Sequence, residues 1–140
     1  MLQKTLISHH LNDLPDLAAQ ILGSCNRVRI FAFSGDLGAG KTTLVQHLCR
    51  KLGVKDKVTS PTFSLVNEYA SPAGPVYHFD FYRIEDEEEA YDIGADEYFD
   101  SGYYCLIEWP ERIPTLLPGE SARLALSMGI DGTRQISLTC

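Results

Sequence analysis

The chain has 140 residues, 44% of them hydrophobic and 22% charged, with a formal charge of −7 and a pI near 4.9. That length suits one domain with a single core and argues against a second catalytic domain, and the composition argues against disorder or a fibrous repeat. The acidic balance disfavours unaided binding to nucleic acid, no apolar run approaches the ~18 residues of a membrane span, and the segment Met1 to Ser8 lacks a secretory pattern; a cytoplasmic protein with a protein partner is expected. Cys25, Cys49, Cys105 and Cys140 show neither CxxC pairs nor metal-ligand spacing with His, which predicts no disulfide framework and no zinc site.

Lys4 to Ile7 reads as a short edge strand. Asn12 or Asp13 then caps a helix with Leu14, Leu17, Ala18, Ile21 and Leu22 at helical spacing, closed by Gly23. Val28 to Phe33 is a strand of β-formers that runs into SGDLGAGKTT and a second helix carrying Leu44, Val45, Leu48, Cys49 and Leu52, stopped by Gly53. Thr62 to Tyr69 alternates as a strand, and the turn cluster 71–75 leads to a further strand, Val76 to Phe81, so the two are expected to pair as a hairpin. The acidic segment Glu85 to Tyr98, interrupted by Gly94, predicts two short surface helices. Tyr103 to Ile107 is an apolar strand ending at Glu108, and Arg123 to Ile130 with Arg134 to Leu138 forms a hairpin around Asp131-Gly132. The expected fold is α/β: a single P-loop nucleotide-hydrolase domain, 1–140, with a mixed, mostly parallel sheet flanked by helices.

Gly35-Asp36-Leu37-Gly38-Ala39-Gly40-Lys41-Thr42 matches G-x-x-x-x-G-K-[ST] between a buried strand and an amphipathic helix, which is the context that motif requires. Small residues let the amides of Gly38, Ala39, Gly40 and Lys41 turn inward on phosphate oxygens, and the helix start adds free N–H groups and a positive dipole end. Lys41 is the expected partner of the β- and γ-phosphates, Thr42 the Mg²⁺ ligand and Thr43 the α-phosphate contact of a bound ATP or ADP.

Such a site also needs a strand-end carboxylate. Glu108 and Asp80 both qualify; Glu108 is expected to ligate Mg²⁺ and Asp80 to act beside it as a water-positioning acid, and the exchange of those roles stays open. Thr62, after Ser60-Pro61, is a candidate γ-phosphate sensor. Arg83 and Arg112 carry no catalytic assignment; the lone Trp109 is expected in the core, with a place over the nucleotide site or a partner interface as the alternative; and His78, with no second metal-type ligand spaced with it, reads as structural.

Four segments in order, GDLGAGKTTL, SPTFSLVNEY, HFDFYR and LIEWPER, together resemble the TsaE (formerly YjeE) family of bacterial tRNA N6-threonylcarbamoyladenosine biosynthesis ATPases, over Gly35 to Arg112. The resemblance implies an ATPase that works with the TsaB and TsaD proteins, which with TsaC install threonylcarbamoyl on adenosine 37 of tRNA. It leaves the tRNA chemistry to TsaD, so tRNA is met only through the complex, and hydrolysis by the isolated chain should be slow. It also implies a phosphate loop from Gly38 to Thr43, Mg²⁺ ligands that include Thr42 and Glu108, a nucleotide-proximal acid at Asp80, and adenine neighbours near Leu11 and Arg134. Two other readings compete: a nucleotide-gated interaction module without turnover, and a small-molecule kinase, for which no Arg-rich lid is visible.

Overall fold

The computed structural model describes residues 2–61 and 64–140. Among the described residues seven strands form one sheet: β1 (Gln3–Ser8), β2 (Ile30–Ser34), β3 (Val66–Tyr69), β4 (Val76–Asp80), β5 (Tyr104–Glu108), β6 (Ala122–Met128) and β7 (Arg134–Thr139), in the spatial order β1-β7-β6-β2-β5-β4-β3. The sheet is mixed, as expected: β6, β2, β5 and β4 run parallel at its centre. Antiparallel pairs close both ends, β1–β7–β6 on one side and the β3–β4 hairpin on the other.

The helices divide between the two faces. α1 (Leu14–Ser24) and α2 (Lys41–Lys51) bury Leu14, Leu17, Ala18 and Ile21, and Leu44, Val45, Leu48 and Cys49, against Phe31, Phe33, Leu106, Leu124 and Ile136. α1 begins with Pro15 in its first turn, just after Asp13 accepts the amides of His9 and His10 at 3.0 and 3.1 Å. On the opposite face α3 (Glu88–Asp92) and α4 (Ala95–Phe99), separated at Gly94 as expected, pack Ala90, Ala95 and Phe99 on Phe79, Cys105 and Ile107. Along β6 buried and exposed residues alternate, so this antiparallel wing keeps one solvated face while the parallel centre is covered on both.

Two expectations change. The strand expected over Thr62 to Tyr69 is formed only from Val66: Leu65 takes a left-handed φ of 65°, which breaks the extended run, and its carbonyl accepts the Asp80 amide at 3.1 Å. Residues 62 and 63 of that expected strand lie outside the described residues. Cys25 and Cys140 form a disulfide across 115 positions, contrary to the reading from cysteine spacing. The cause is topological: Leu2 and Cys140 exchange backbone bonds at 2.8 and 3.0 Å, which carries the end of β7 to the Cys25 cap of α1. Among the described residues no helix is long and apolar enough to cross a membrane.

Candidate functional site

β2, β4 and β5 are parallel neighbours, and their C-terminal ends deliver Gly35, Asp80 and Glu108 to one rim of the sheet, where open α/β folds place ligands. The pleat sets the rest. Paired residues share a face, so His78, Asp80, Leu106 and Glu108 lie on the α2 side together with Phe31 and Phe33.

The glycine loop closes over this rim. Gly35 has φ 148°, and a Cβ there would stand 2.6 Å from the Leu126 carbonyl oxygen, so β2 leaves the sheet against β6 only without a side chain. Gly40, at φ 98°, starts α2 in a left-handed conformation, and a Cβ would press on Arg134 Nε at 3.2 Å. The first amide with a helical partner is that of Leu44, bonded to the Gly40 carbonyl at 3.0 Å; those of Lys41, Thr42 and Thr43 precede it, as at any helix start.

A cavity of about 310 Å³ lies against this loop, lined by Gly38, Gly40, Lys41, Thr42 and Thr43 together with Asp80, Glu108 and Arg134. Eight of the residues expected at the site thus converge. Gly35 stands behind the cavity rather than on it, and Ala39 is also absent from the lining: its methyl is buried, and its amide, expected to face phosphate, donates to the Asp36 carbonyl at 3.0 Å. Thr62 lies outside the described residues. Leu11 is 60% exposed and, like Arg112, is not in the lining, whereas Arg83 borders an adjoining cavity with Ser60, Asp80 and Tyr82.

At the centre Thr42 Oγ1 donates to Glu108 Oε1 at 2.8 Å. Its single proton is spent there, so the Ser60 hydroxyl, 3.0 Å away, donates to Thr42. Lys41 is almost fully buried; its Nζ bonds the Gly35 carbonyl, approaches the Asp36 carbonyl at 3.4 Å and lies 3.6 Å from the centre of the Trp109 ring. Burial pushes this ammonium below its ordinary 10.5, against the pull of Glu108, Glu111, Asp80 and Asp36. Burial likewise raises the Asp80 carboxyl above its ordinary 3.8; the Tyr82 amide, bonded to it at 3.0 Å, opposes the rise and the Glu108 charge adds to it.

Trp109 is half-buried at the edge of the second core cluster rather than inside it. A left-handed φ of 62° ends β5 there and throws the ring over Lys41 and against Tyr82, 4.8 Å between centroids, as part of the cavity wall. Leu37, Ser60 and Tyr82 are further wall residues that sequence reasoning missed. His78, read as structural, is fully buried and bonds Glu108 Oε2 through Nε2 at 2.7 Å. Its place two residues before Asp80 on an alternating strand was the available signal.

The donor set fits a specific kind of ligand. Thr42, Ser60, Asp80 and Glu108 offer hard oxygens, the type a small divalent cation takes when phosphate oxygens complete its shell. Among the described residues no cluster of three His, Cys, Asp or Glu forms a closed metal cage. Arg134 Nε is buried with no hydrogen-bond partner there, an orphaned donor on the cavity wall that an anionic ligand would satisfy.

Comparison with known proteins gives the family and the fold. A family model described as threonylcarbamoyl adenosine biosynthesis protein TsaE matches residues 8–136. The tRNA threonylcarbamoyladenosine biosynthesis protein TsaE of Bacillus subtilis (strain 168) is 42% identical over 110 residues, 79% of this chain and 68% of that protein. Its namesake in Rickettsia bellii (strain RML369-C) is 32% identical over 143 residues, 99% of this chain and 96% of that protein. The crystal structure of YdiB from Bacillus subtilis superposes with a TM-score of 0.80 at 29% identity, covering 99% of this chain and 86% of that one. With a family model that spans nearly the whole sheet, this chain belongs to the TsaE family of threonylcarbamoyl adenosine biosynthesis proteins.

Proposed function

We propose that the chain is a Mg²⁺-dependent ATPase of the cytoplasm that binds and hydrolyses ATP in support of tRNA threonylcarbamoyladenosine formation by a TsaB–TsaD complex. The observation that carries this reading is the contact of the helix-start hydroxyl of Thr42 with the strand-end carboxylate of Glu108, beside Lys41 and at the mouth of the glycine loop. In it, the loop backbone at Gly38 and Gly40 and the amides at the start of α2 hold the phosphates, and Thr43 contacts the α-phosphate. Lys41 leaves its carbonyl and Trp109 partners for the β- and γ-phosphates, and Arg134 meets the nucleotide from the β7 side. Thr42 and Glu108 hold Mg²⁺, which when bound neutralises charge that develops on the β- and γ-phosphate oxygens.

Asp80 orients the attacking water; as its oxygen bonds to the γ-phosphorus, the bond to the ADP oxygen breaks. Its raised pKa suits a group that also takes up the water proton. The family supports the pathway assignment, and the acidity of the chain supports tRNA contact through partners rather than directly.

Phosphate release from Mg-ATP, measured with and without TsaB and TsaD, tests the reading. Slow release by the chain alone, acceleration by the partners and loss of both in Lys41→Ala are expected; no release in any condition overturns it. The Ser60–Thr42 contact favours a second reading, in which ATP gates partner association without turnover. That reading expects tighter association on ATP addition with no phosphate released.

A further inference from the structure

Glu108 is buried at 3% exposure, and both its carboxylate oxygens are engaged: Oε1 by Thr42 at 2.8 Å, Oε2 by His78 Nε2 at 2.7 Å. The other ring nitrogen of His78 lies 3.2 Å from the Tyr69 hydroxyl, itself in the core. That hydroxyl reaches both backbone groups of one residue, accepting the Thr59 amide at 3.3 Å and standing 2.9 Å from the Thr59 carbonyl; its single proton is shared between that carbonyl and His78 Nδ1. Asn67 Nδ2 adds a bond to the same carbonyl at 3.0 Å. Ser60, the next residue, returns to Thr42 at 3.0 Å. The contacts close a ring, Thr42–Glu108–His78–Tyr69–Thr59–Ser60, built from α2, β5, β4, β3 and the segment that precedes β3.

We propose that His78 and Tyr69 are positioning residues that couple the Glu108 carboxylate to the Thr59–Ser60 segment, so that a metal–nucleotide seated at Thr42 and Glu108 sets that segment. The proposal rests on the nucleotide reading above and deepens it. His78 occupies one carboxylate oxygen and thereby turns the other toward Thr42, the arrangement by which partners behind a ligating group fix its orientation. Both side chains are buried and rigidly packed, so a displacement of Glu108 is transmitted rather than absorbed. When a cation takes over the Thr42 hydroxyl, the Ser60 contact weakens and Thr59 is held by Tyr69 on the His78 path and by Asn67 beside it, so Tyr69 is the hold that reports the state of Glu108.

The test measures ADP affinity by calorimetry with Mg²⁺ and with EDTA, and takes the ratio as the metal gain. Amide exchange at Thr59 is followed in the same states. In the wild type a metal gain and Mg²⁺-dependent slowing at Thr59 are expected. His78→Leu should reduce the gain roughly tenfold while affinity in EDTA holds, and His78→Gln, whose amide can still donate to Glu108, should recover most of it. Tyr69→Phe, which removes one oxygen and keeps the ring, should abolish the Mg²⁺-dependent slowing at Thr59.

A wild-type gain in His78→Leu, or an equal loss in His78→Leu and His78→Gln, overturns the coupling and leaves the nucleotide reading standing. If His78→Leu does not fold, Tyr69→Phe decides alone, and slowing at the wild-type level overturns the proposal. Absence of Mg-ADP binding in the wild type removes the nucleotide reading and this proposal with it.

Discussion

Asp80 sits where function and stability oppose each other. Its carboxyl is raised above 3.8 chiefly by burial, so between 3.8 and its value in the folded protein the native state holds a proton that the unfolded chain has lost. The destabilisation is therefore complete above the folded pKa and relieved as pH falls through it toward 3.8. Asp80→Asn keeps an oxygen for the Tyr82 amide and removes the charge. Its Tm should exceed that of the wild type at neutral pH, the gap should close below pH 3.8, and phosphate release should fall; a gap that widens on acidification would contradict the sign.

Trp109 offers a second check, because it is the only tryptophan and its ring rests on the Lys41 ammonium. Mg-nucleotide that draws Lys41 away should change the emission saturably, and Lys41→Ala should abolish the response. Lys41, Thr42, Asp80 and Glu108 were legible because the motif is local and each acid closes its own strand. Ser60 was not, because it meets Thr42 only through the tertiary fold; His78 was read as structural alone, since its contact with Glu108 depends on the β4–β5 register; and the left-handed turn that settles Trp109 over Lys41 rather than in the core is announced by no residue type.

Among the elements, α2 does the most positioning: its first turn carries Lys41 to Thr43 and its buried stripe fixes their height above the sheet. Leu48 is wholly buried in that stripe. Leu48→Ala should lower unfolding free energy by about 2–5 kcal/mol in denaturant melts, with Cm reduced and the m-value unchanged. Each strand and each α-helix was foreseeable from its period, including the split of the acidic segment at Gly94, although α1 runs past its expected stop at Gly23 to Ser24. The start of β3 was not: Ser64 and Leu65 alternate as strand residues do, yet Leu65 turns left-handed where its carbonyl meets the Asp80 amide, a constraint from β4 rather than from its own neighbours.

For the molecule as a whole, the sheet joins its ends: β1 pairs with β7, and Cys25 meets Cys140. Spacing rules look for cysteines near in sequence, and this pair is made by topology alone. Burial pushes the Cys49 and Cys105 thiols up to about 12, which leaves them inert at neutral pH. Alkylation of native, unreduced protein should therefore label no cysteine, and gentle reduction should release one readily reactive site, which peptide mass spectrometry assigns to the half-buried Cys140 rather than to Cys25 in the core. Cys140→Ser should cost about 2–4 kcal/mol relative to the bridged form. In a reducing compartment the same pair stands as thiols, held close by the β1–β7 register.

Calorimetric titration of the folded chain with Mg-ADP is the most direct measurement of whether the glycine loop, Thr42 and Glu108 make a metal–nucleotide site. One site per chain is expected, weakened by EDTA and lost in Lys41→Ala while the melting transition of that variant persists. Heat-silent titration of folded wild type at millimolar nucleotide, or equal binding by Lys41→Ala, would contradict it.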